Sequence, residues 1–447
     1  MKKTTIIIAL LLSQVVICAQ TDDSCLPQGI TFTTQEQINN FQINHPNCTE
    51  IEGDVEIIGN DITNMNGLNV LTFIGGDFGI VATEALTSLV GLENLTAIGG
   101  DFIMGSVSFI TNLNGLNNLQ SIGGTIHFGY HTMGGITGTS LTSLLGIESL
   151  TNVGGDVRLL CNPMLEDLSG LSGLANIGGN LLIGESSLHS LNGLGNLVSI
   201  GGDFAAGSDP FPLTSLEGVD NLASIGGSII IGSSLALTSL SGLENITTIG
   251  GNLDINGNQA LISLTGLENL STIGGYILIE SNFALNSLAG LENIAAESIT
   301  GLYILDNGLL SSCEVQSICE YLASPNAIVD IDYNAPGCNS PEEVEEACLY
   351  ISISEEEAEA QIQVYPNPVN DFATLSFEGN EPGGAIVNLY NSTGICIRTW
   401  QFTITSPGQC NFVMDFSGLP AGMYFCQVQF GNELLTKKIL KKGTTAN

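Results

Sequence analysis

A single stretch, Leu261-Ile-Ser-Leu-Thr-Gly-Leu-Glu-Asn-Leu-Ser-Thr-Ile-Gly-Gly275, recurs in near-copies from about Gly53 to Gly301. Nothing else in the chain restricts its fold as much. The Ile-Gly-Gly triplets end at Gly76, Gly100, Gly124, Gly155 (after Val153), Gly179, Gly202, Gly227, Gly251 and Gly275, at intervals of 24, 24, 31, 24, 23, 25, 24 and 24 residues. Divergent copies at Glu52-Gly53 and Thr300-Gly301 bring the array to about eleven coils. A period in the twenties means a solenoid, in which each unit buries its apolar face only against its neighbours. Helical repeats are excluded because they do not tolerate a glycine pair and several β-branched residues in every unit.

Each coil carries two apolar arms. A short alternating strand follows the glycines, as in Leu253-Asp-Ile255 or Ile277-Leu-Ile279, and the arm Leu-x-x-Leu-x-Gly-Leu-x-x-Leu-x-x-Ile comes later. Stacked at ~4.8 Å, such strands make parallel sheets along a rod roughly 50 Å long. The Asn of Gly-Leu-Glu-Asn-Leu recurs at Asn94, Asn118, Asn196, Asn221, Asn245, Asn269 and Asn293, and is read as a buried amide ladder bonding the backbone of adjacent turns. The paired glycines fit a tight corner that needs positive φ or close backbone approach. They are no phosphate loop, because no helix or Lys follows.

The Leu-rich coils, with cysteines gathered at each end, resemble leucine-rich and receptor L-domain-like solenoids of bacterial surface proteins over roughly residues 25–348. The resemblance implies a right-handed β-solenoid used for recognition. Two departures are the seven-residue expansion between Gly124 and Gly155, and Gly173 or Ser149 where the Asn row would continue. Residues 20–50 read as an N-terminal cap, with a short helix opened by Thr33-Thr34 and carrying Ile38, Phe41 and Ile43. Cys25 and Cys48 are expected to pair across it, covering the first coil's unpaired edge. The solenoid spans 51–310, and residues 311–349 form a second cap in which Val315, Ile318 and Leu322 suit a helix. Its four cysteines allow three pairings, of which Cys313 with Cys338 and Cys319 with Cys348 is preferred.

An acidic linker, 350–361, leads to residues 362–447, where alternating strands with Pro and Gly turns read as a small, Ig-like β-sandwich. Tyr365-Pro366-Asn367-Pro368, the Leu-Pro-Ala-Gly-Met-Tyr run containing Gly422 and Tyr424, and the basic tail resemble the C-terminal sorting domain of the type IX secretion system. That resemblance implies the secretion machinery as partner, passage across the outer membrane, and release or surface attachment. The expected fold is thus mostly β: a capped leucine-rich β-solenoid followed by a sandwich.

Residues 1–19 read as a secretory signal, with Lys2-Lys3, an apolar run and Ala19 before Gln20. A membrane anchor is the alternative, against which the run is short; a lipid-modified Cys18 is another, weakened by Ile17. No membrane span is expected in the mature chain. Ten cysteines follow the signal, as an oxidising compartment allows. The chain has 45 acidic and eight basic residues, and Arg158 is the only Lys or Arg between residues 4 and 397. Nucleic acid, which needs several cations on one face, is excluded as a partner.

Catalytic patterns are sparse. His45, His127, His131 and His189 fall in no metal or nucleophile motif, and no cofactor is expected. His127 and His131, four apart, make a loop metal site conceivable, but an exposed insertion is the favoured reading. Cys161 reads as a buried thiol. Asp77, Asp101, Asp156, Asn180, Asp203 and Asn252 each follow a glycine pair; stacked carboxylates there suit calcium or acid–base work, but Thr125, Ser228 and Tyr276 interrupt the row and turn chemistry is favoured.

Ligand contacts are expected instead from the outward strand position: Gly79, Ile103, His127, Arg158, Leu182, Ala205, Ile230, Asp254, Leu278 and Tyr303. The loops around Tyr130, His131, Met133 and Phe211 flank it. Several of these residues are large and apolar, as at interaction surfaces. The functional expectation is a non-enzymatic recognition or adhesion protein that binds a protein or glycan. A polysaccharide-active β-solenoid enzyme and a structural surface-layer rod are the alternatives.

Overall fold

The computed structural model describes residues 24–132, 135–348, 362–379, 382–391, 396–405, 408–420, 422–430 and 433–442. They fall into two compact units, one up to residue 340 and one from 341 onward. The signal segment, the linker 350–361 and Met133 lie outside the described residues.

The first unit is a β-solenoid with two parallel sheets. The main sheet has 13 strands in strict coil order, from Ile30–Phe32 to Val329–Asp332. The minor sheet has 11 two-residue strands, from Ser24–Cys25 to Thr272–Ile273. Alternation within the main strands follows from the pleat: Phe78 and Ile80 are buried while Gly79 between them is not, and the pattern repeats in each coil. The leucines of the second arm, such as Leu261, Leu264, Leu267 and Leu270, have no exposed surface. Each contributes roughly 1.5–3 kcal/mol of burial, which is what closes a coil with so little regular structure. Aromatic rings fill the early coils, with Phe78 stacked on Phe102 at 5.3 Å and Phe102 edge-on to Phe128 at 5.0 Å.

Close approach, and not positive φ, accounts for the glycine pair. A Cβ on Gly99 would lie 2.2 Å from the Gly75 carbonyl oxygen, and one on Gly100 would lie 2.2 Å from Asp77 Oδ1. The left-handed glycine is a different one, that of Leu-x-Gly-Leu: Gly266 has φ 114°. Its N–H donates to Glu268 Oε2 at 2.8 Å, so the recurring Glu of that motif stabilises a turn.

The caps are also built. Thr34 opens the helix Gln35–Asn39 with a capping box to Gln37. The helix breaks at Asn40, and a second one, Phe41–Asn44, covers the rest of the first coil. Cys25 is bonded to Cys48 and Cys313 to Cys338, each with Cα atoms 5.6 Å apart. Cys319 and Cys348 are disulfide-bonded as well. The helix Gln316–Leu322 buries Ile318 and Leu322 as its spacing predicts.

In the second unit a helix over 341–348 precedes two antiparallel sheets. One orders Ile362–Tyr365, Phe372–Gly379 and Gly408–Asp415; the other orders Cys396–Ile404, Gly383–Asn391, Gly422–Phe430 and Glu433–Lys441. Leu375, Phe377, Val387, Leu389, Val428 and Ile439 lie in the core between them. The strand Gly408–Asp415 is not anticipated above, although Cys410, Phe412 and Met414, which face the core, alternate with Gln409, Asn411 and Val413 as a half-buried strand requires.

Candidate functional site: the outward face of the main sheet

Strand register brings the expected residues into one row. Thr31, Glu56, Gly79, Ile103, His127, Arg158, Leu182, Ala205, Ile230, Asp254, Leu278, Tyr303 and Asp330 are successive Cα partners along the sheet. From Ile103 to Tyr303 the members are half-buried, not fully exposed as a free strip would be. Neighbours a strand spacing apart cover each other's flanks, so the row presents its tips.

A second outward row lies two residues further along the strands, where Gly207, Gly232, Asn256, Glu280, Leu305 and Asp332 are partners in turn. Glycine there and Ala205 in the first row leave an open depression of about 180 Å³ between coils, bounded by Ala205, Gly207, Ile230, Gly232, Ser233 and Asn256.

Polar groups punctuate the apolar row. Arg158 gives Nε and Nη2 to Asp156 Oδ2, at 2.9 and 2.5 Å. Burial pushes the Asp156 carboxyl up, but the Asn180 N–H and the Arg158 guanidinium together bring it below the usual carboxylate value. His127 is shifted down by burial and by Arg158, partly opposed by Asp101 and Asp156. Asp254 Oδ1 accepts from Asn256 Nδ2 at 2.6 Å. Tyr303 meets Tyr276 edge to face at 5.8 Å. Tyr130 and His131 sit on an antiparallel hairpin, Tyr130–Thr132 with Gly135–Thr137, that fills the expanded coil. Phe211 ends the long strand Phe204–Phe211 and pairs with Ser234; the side chains of these three residues lie outside what is described.

The acidic row beside the strands has another job. Asp54 Oδ1 accepts from the Asp77 N–H, Asp77 from Asp101, and Asp101 from Thr125, at 2.9, 2.7 and 2.7 Å. Thr125 and Ser228 do not interrupt this ladder: their hydroxyls accept from the N–H groups of Asp156 and Asn252. It ends at Tyr276, whose N–H donates to Asn252 Oδ1. One oxygen per rung is therefore committed to backbone. Among the described residues, no three His, Cys, Asp or Glu side chains gather as a metal site would require.

The Asn row of Gly-Leu-Glu-Asn-Leu needs correction. Asn94, Asn118 and Asn269 do bond the preceding coil, through Nδ2 to the carbonyls of Asn69, Glu93 and Glu244 at 2.7 Å, but they are exposed. The buried amide ladder is a different set: Asn258, Asn282, Asn307 and Asn334. Asn282 Nδ2 donates to the Ile255 and Glu280 carbonyls and to Asn307 Oδ1, and its Oδ1 accepts from the Asn258 N–H. What aligned coils do offer is a common offset: each stands two residues past its strand, just after a residue that the structure shows to be left-handed, Gly257, Ser281, Asp306 or Tyr333. Cys161, left-handed too, is buried against Glu185 Oε2 at 3.1 Å, and burial pushes its thiol up to about 12.

In the sandwich, Asn367 holds the last strand: its Nδ2 donates to the Lys438 carbonyl at 3.0 Å and its Oδ1 accepts from the Leu440 N–H at 2.9 Å. The bonds from Tyr365 to Pro366 and from Asn367 to Pro368 are cis. Tyr365 itself is largely exposed. Gly422 has φ 150°, and the Tyr424 hydroxyl donates to the Pro420 carbonyl at 2.8 Å. Cys396, Cys410 and Cys426 are free thiols.

These features define the class: a capped parallel β-solenoid with a variable outer sheet face, joined to a small antiparallel sandwich that a Pro-flanked Asn closes. The receptor L domain family matches residues 47–165 and 221–346, and the chain belongs to it. The secretion-system C-terminal sorting domain matches residues 363–442. No curated protein matches the chain. The sorting domain implies export by the type IX machinery to the cell surface or beyond. No helix among the described residues is long and apolar enough to cross a membrane.

Proposed function

We propose that this is a secreted or surface-displayed recognition and adhesion protein, without enzymatic activity, that binds through the outward face of its main sheet. The carrying observation is a contrast in use. Turn carboxylates and amides are spent on the backbone of the next coil, whereas the outward row varies from Ile103 to Arg158 to Tyr303 without any folding demand for that variety. Apolar tips with a few charges over a shallow depression fit a macromolecular partner better than a small substrate. Export begins, on this reading, with residues 1–19 as signal peptide.

The test is attachment of the purified protein to cells or extracellular matrix. Ile230→Ser with Leu278→Ser is expected to abolish attachment while the chain stays folded by circular dichroism, at a cost of about 1–2 kcal/mol for the half-buried side chains removed. Unchanged attachment would remove the face from consideration. Release of reducing ends from glycans would favour the polysaccharide-active alternative.

A further inference from the structure

The half-buried stretch of the outward row, Ile103 to Tyr303, is arranged about its own midpoint. Ala205, at the depression, has Leu182 one rung to one side and Ile230 one rung to the other. Two rungs away stand Arg158 and Asp254, a cation and an anion. Arg158 is the sole Lys or Arg between residues 4 and 397. Its place opposite an acid about that centre calls for explanation, because Asp156 already partners its Nε and Nη2.

From this symmetry we infer that the partner of the face is a second copy of the chain, in an isologous face-to-face dimer; the inference rests on the recognition reading above. A two-fold axis lying between the sheets, parallel to the strands and passing over Ala205, reverses the coil order while keeping each row over itself. Leu182 of one copy then meets Ile230 of the other, and Arg158 meets Asp254, twice by symmetry. The flanking pairs are His127 with Leu278 and Ile103 with Tyr303. In the second row Gly207 lies over its own copy, so no side chain at the centre holds the sheets apart. Asp203 is opposed by itself, but it stands before the strand and its Oδ1 is committed to the Ser228 N–H.

The area suffices for a weak dimer. With the axis over the eighth of 13 strands, 11 strands overlap; at ~4.8 Å each and about 10 Å wide they offer roughly 530 Å² per copy, or about 1,050 Å² in all, the size of weak and transient complexes. Copies displayed densely on a surface would add avidity without new contacts, so homophilic attachment between cells follows from a modest affinity.

Sedimentation of the full exported protein across a concentration series tests this. The wild type should show a reversible monomer–dimer equilibrium. Arg158→Glu makes both charge contacts repulsive, as does Asp254→Arg, and each variant alone should dimerise at least about tenfold more weakly. Mixed in equal amounts, the two variants restore both attractions and should form a heterodimer, a result that misfolded variants cannot give. A wild type that stays monomeric throughout, swaps without effect, or a mixture that fails to associate would overturn the dimer. The recognition reading is judged separately. If the dimer fails while Ile230→Ser with Leu278→Ser still abolishes attachment, the face is a recognition surface for a foreign partner; if attachment also survives, both ideas fall.

Discussion

Two rows of side chains run along the same coils a few ångströms apart, and they obey different rules. In the row that follows the glycine pairs, Asp, Asn, Thr and Ser interchange, because the only demand is an acceptor for the next coil's N–H. In the outward row of the main strands, aliphatic, aromatic, cationic and anionic residues alternate with no such common task. Where residues vary within one chemistry, the solenoid is holding itself together. Where they vary across chemistries, the scaffold is indifferent and selection by a partner has room to act.

That contrast can be broken most severely at the coil contacts. Gly99→Ala places a Cβ against the Gly75 carbonyl and should cost about 3 kcal/mol or prevent folding, as overpacking against backbone does. Gly195→Ala, with nothing within 4 Å, should leave the melting temperature unchanged. Next comes the buried ladder: Asn282→Ala leaves the Asn258 N–H without its acceptor and takes a donor from the Ile255 and Glu280 carbonyls, of which Glu280 still accepts from the Gly257 N–H, an expected loss of about 2 kcal/mol in denaturant unfolding. Asp101→Ala removes one acceptor from a partly solvated N–H and should cost about 1 kcal/mol, whereas Asp101→Asn should be nearly neutral because Asn180 and Asn252 already serve in that row.

The smallest effect is a dependence on pH. His127 titrates below its ordinary 6.5 in the folded chain, so the unfolded chain binds more protons there. Stability should therefore fall as pH drops from 6.5 through the folded value, with Arg158, Asp101 and Asp156 as the charges facing the ring. His127→Gln should flatten that slope in thermal melts from pH 7 to pH 5.

Much of the frame was legible in the spacing of Ile-Gly-Gly. The period gave the parallel stacking, and the alternation of Phe78, Gly79 and Ile80 gave the inward and outward sides. The ladders were harder to read. A repeated Asn marks a bond to the neighbouring coil but carries no information about depth, so exposed Asn94 and Asn269 looked equivalent to a buried amide. The buried set, Asn258 to Asn334, follows a left-handed residue that turns the chain out of the strand, and most of those residues are not glycine, so nothing in their type announced the turn. Thr125 and Ser228 looked like gaps because a carboxylate was expected where any acceptor suffices. The depression at Ala205 required the register of neighbouring strands, which the sequence supplies only once the coils are aligned.

Measuring thermal stability and attachment to cells side by side, for Asp101→Ala and for Ile230→Ser with Leu278→Ser, addresses the division between the rows most directly. The expected result is a dissociation of the two readouts: Asp101→Ala loses about 1 kcal/mol but still attaches, whereas the strand variant, folded at a comparable loss of stability, does not attach. Asp101→Ala losing attachment at unchanged stability, while the strand variant still attaches, would contradict it.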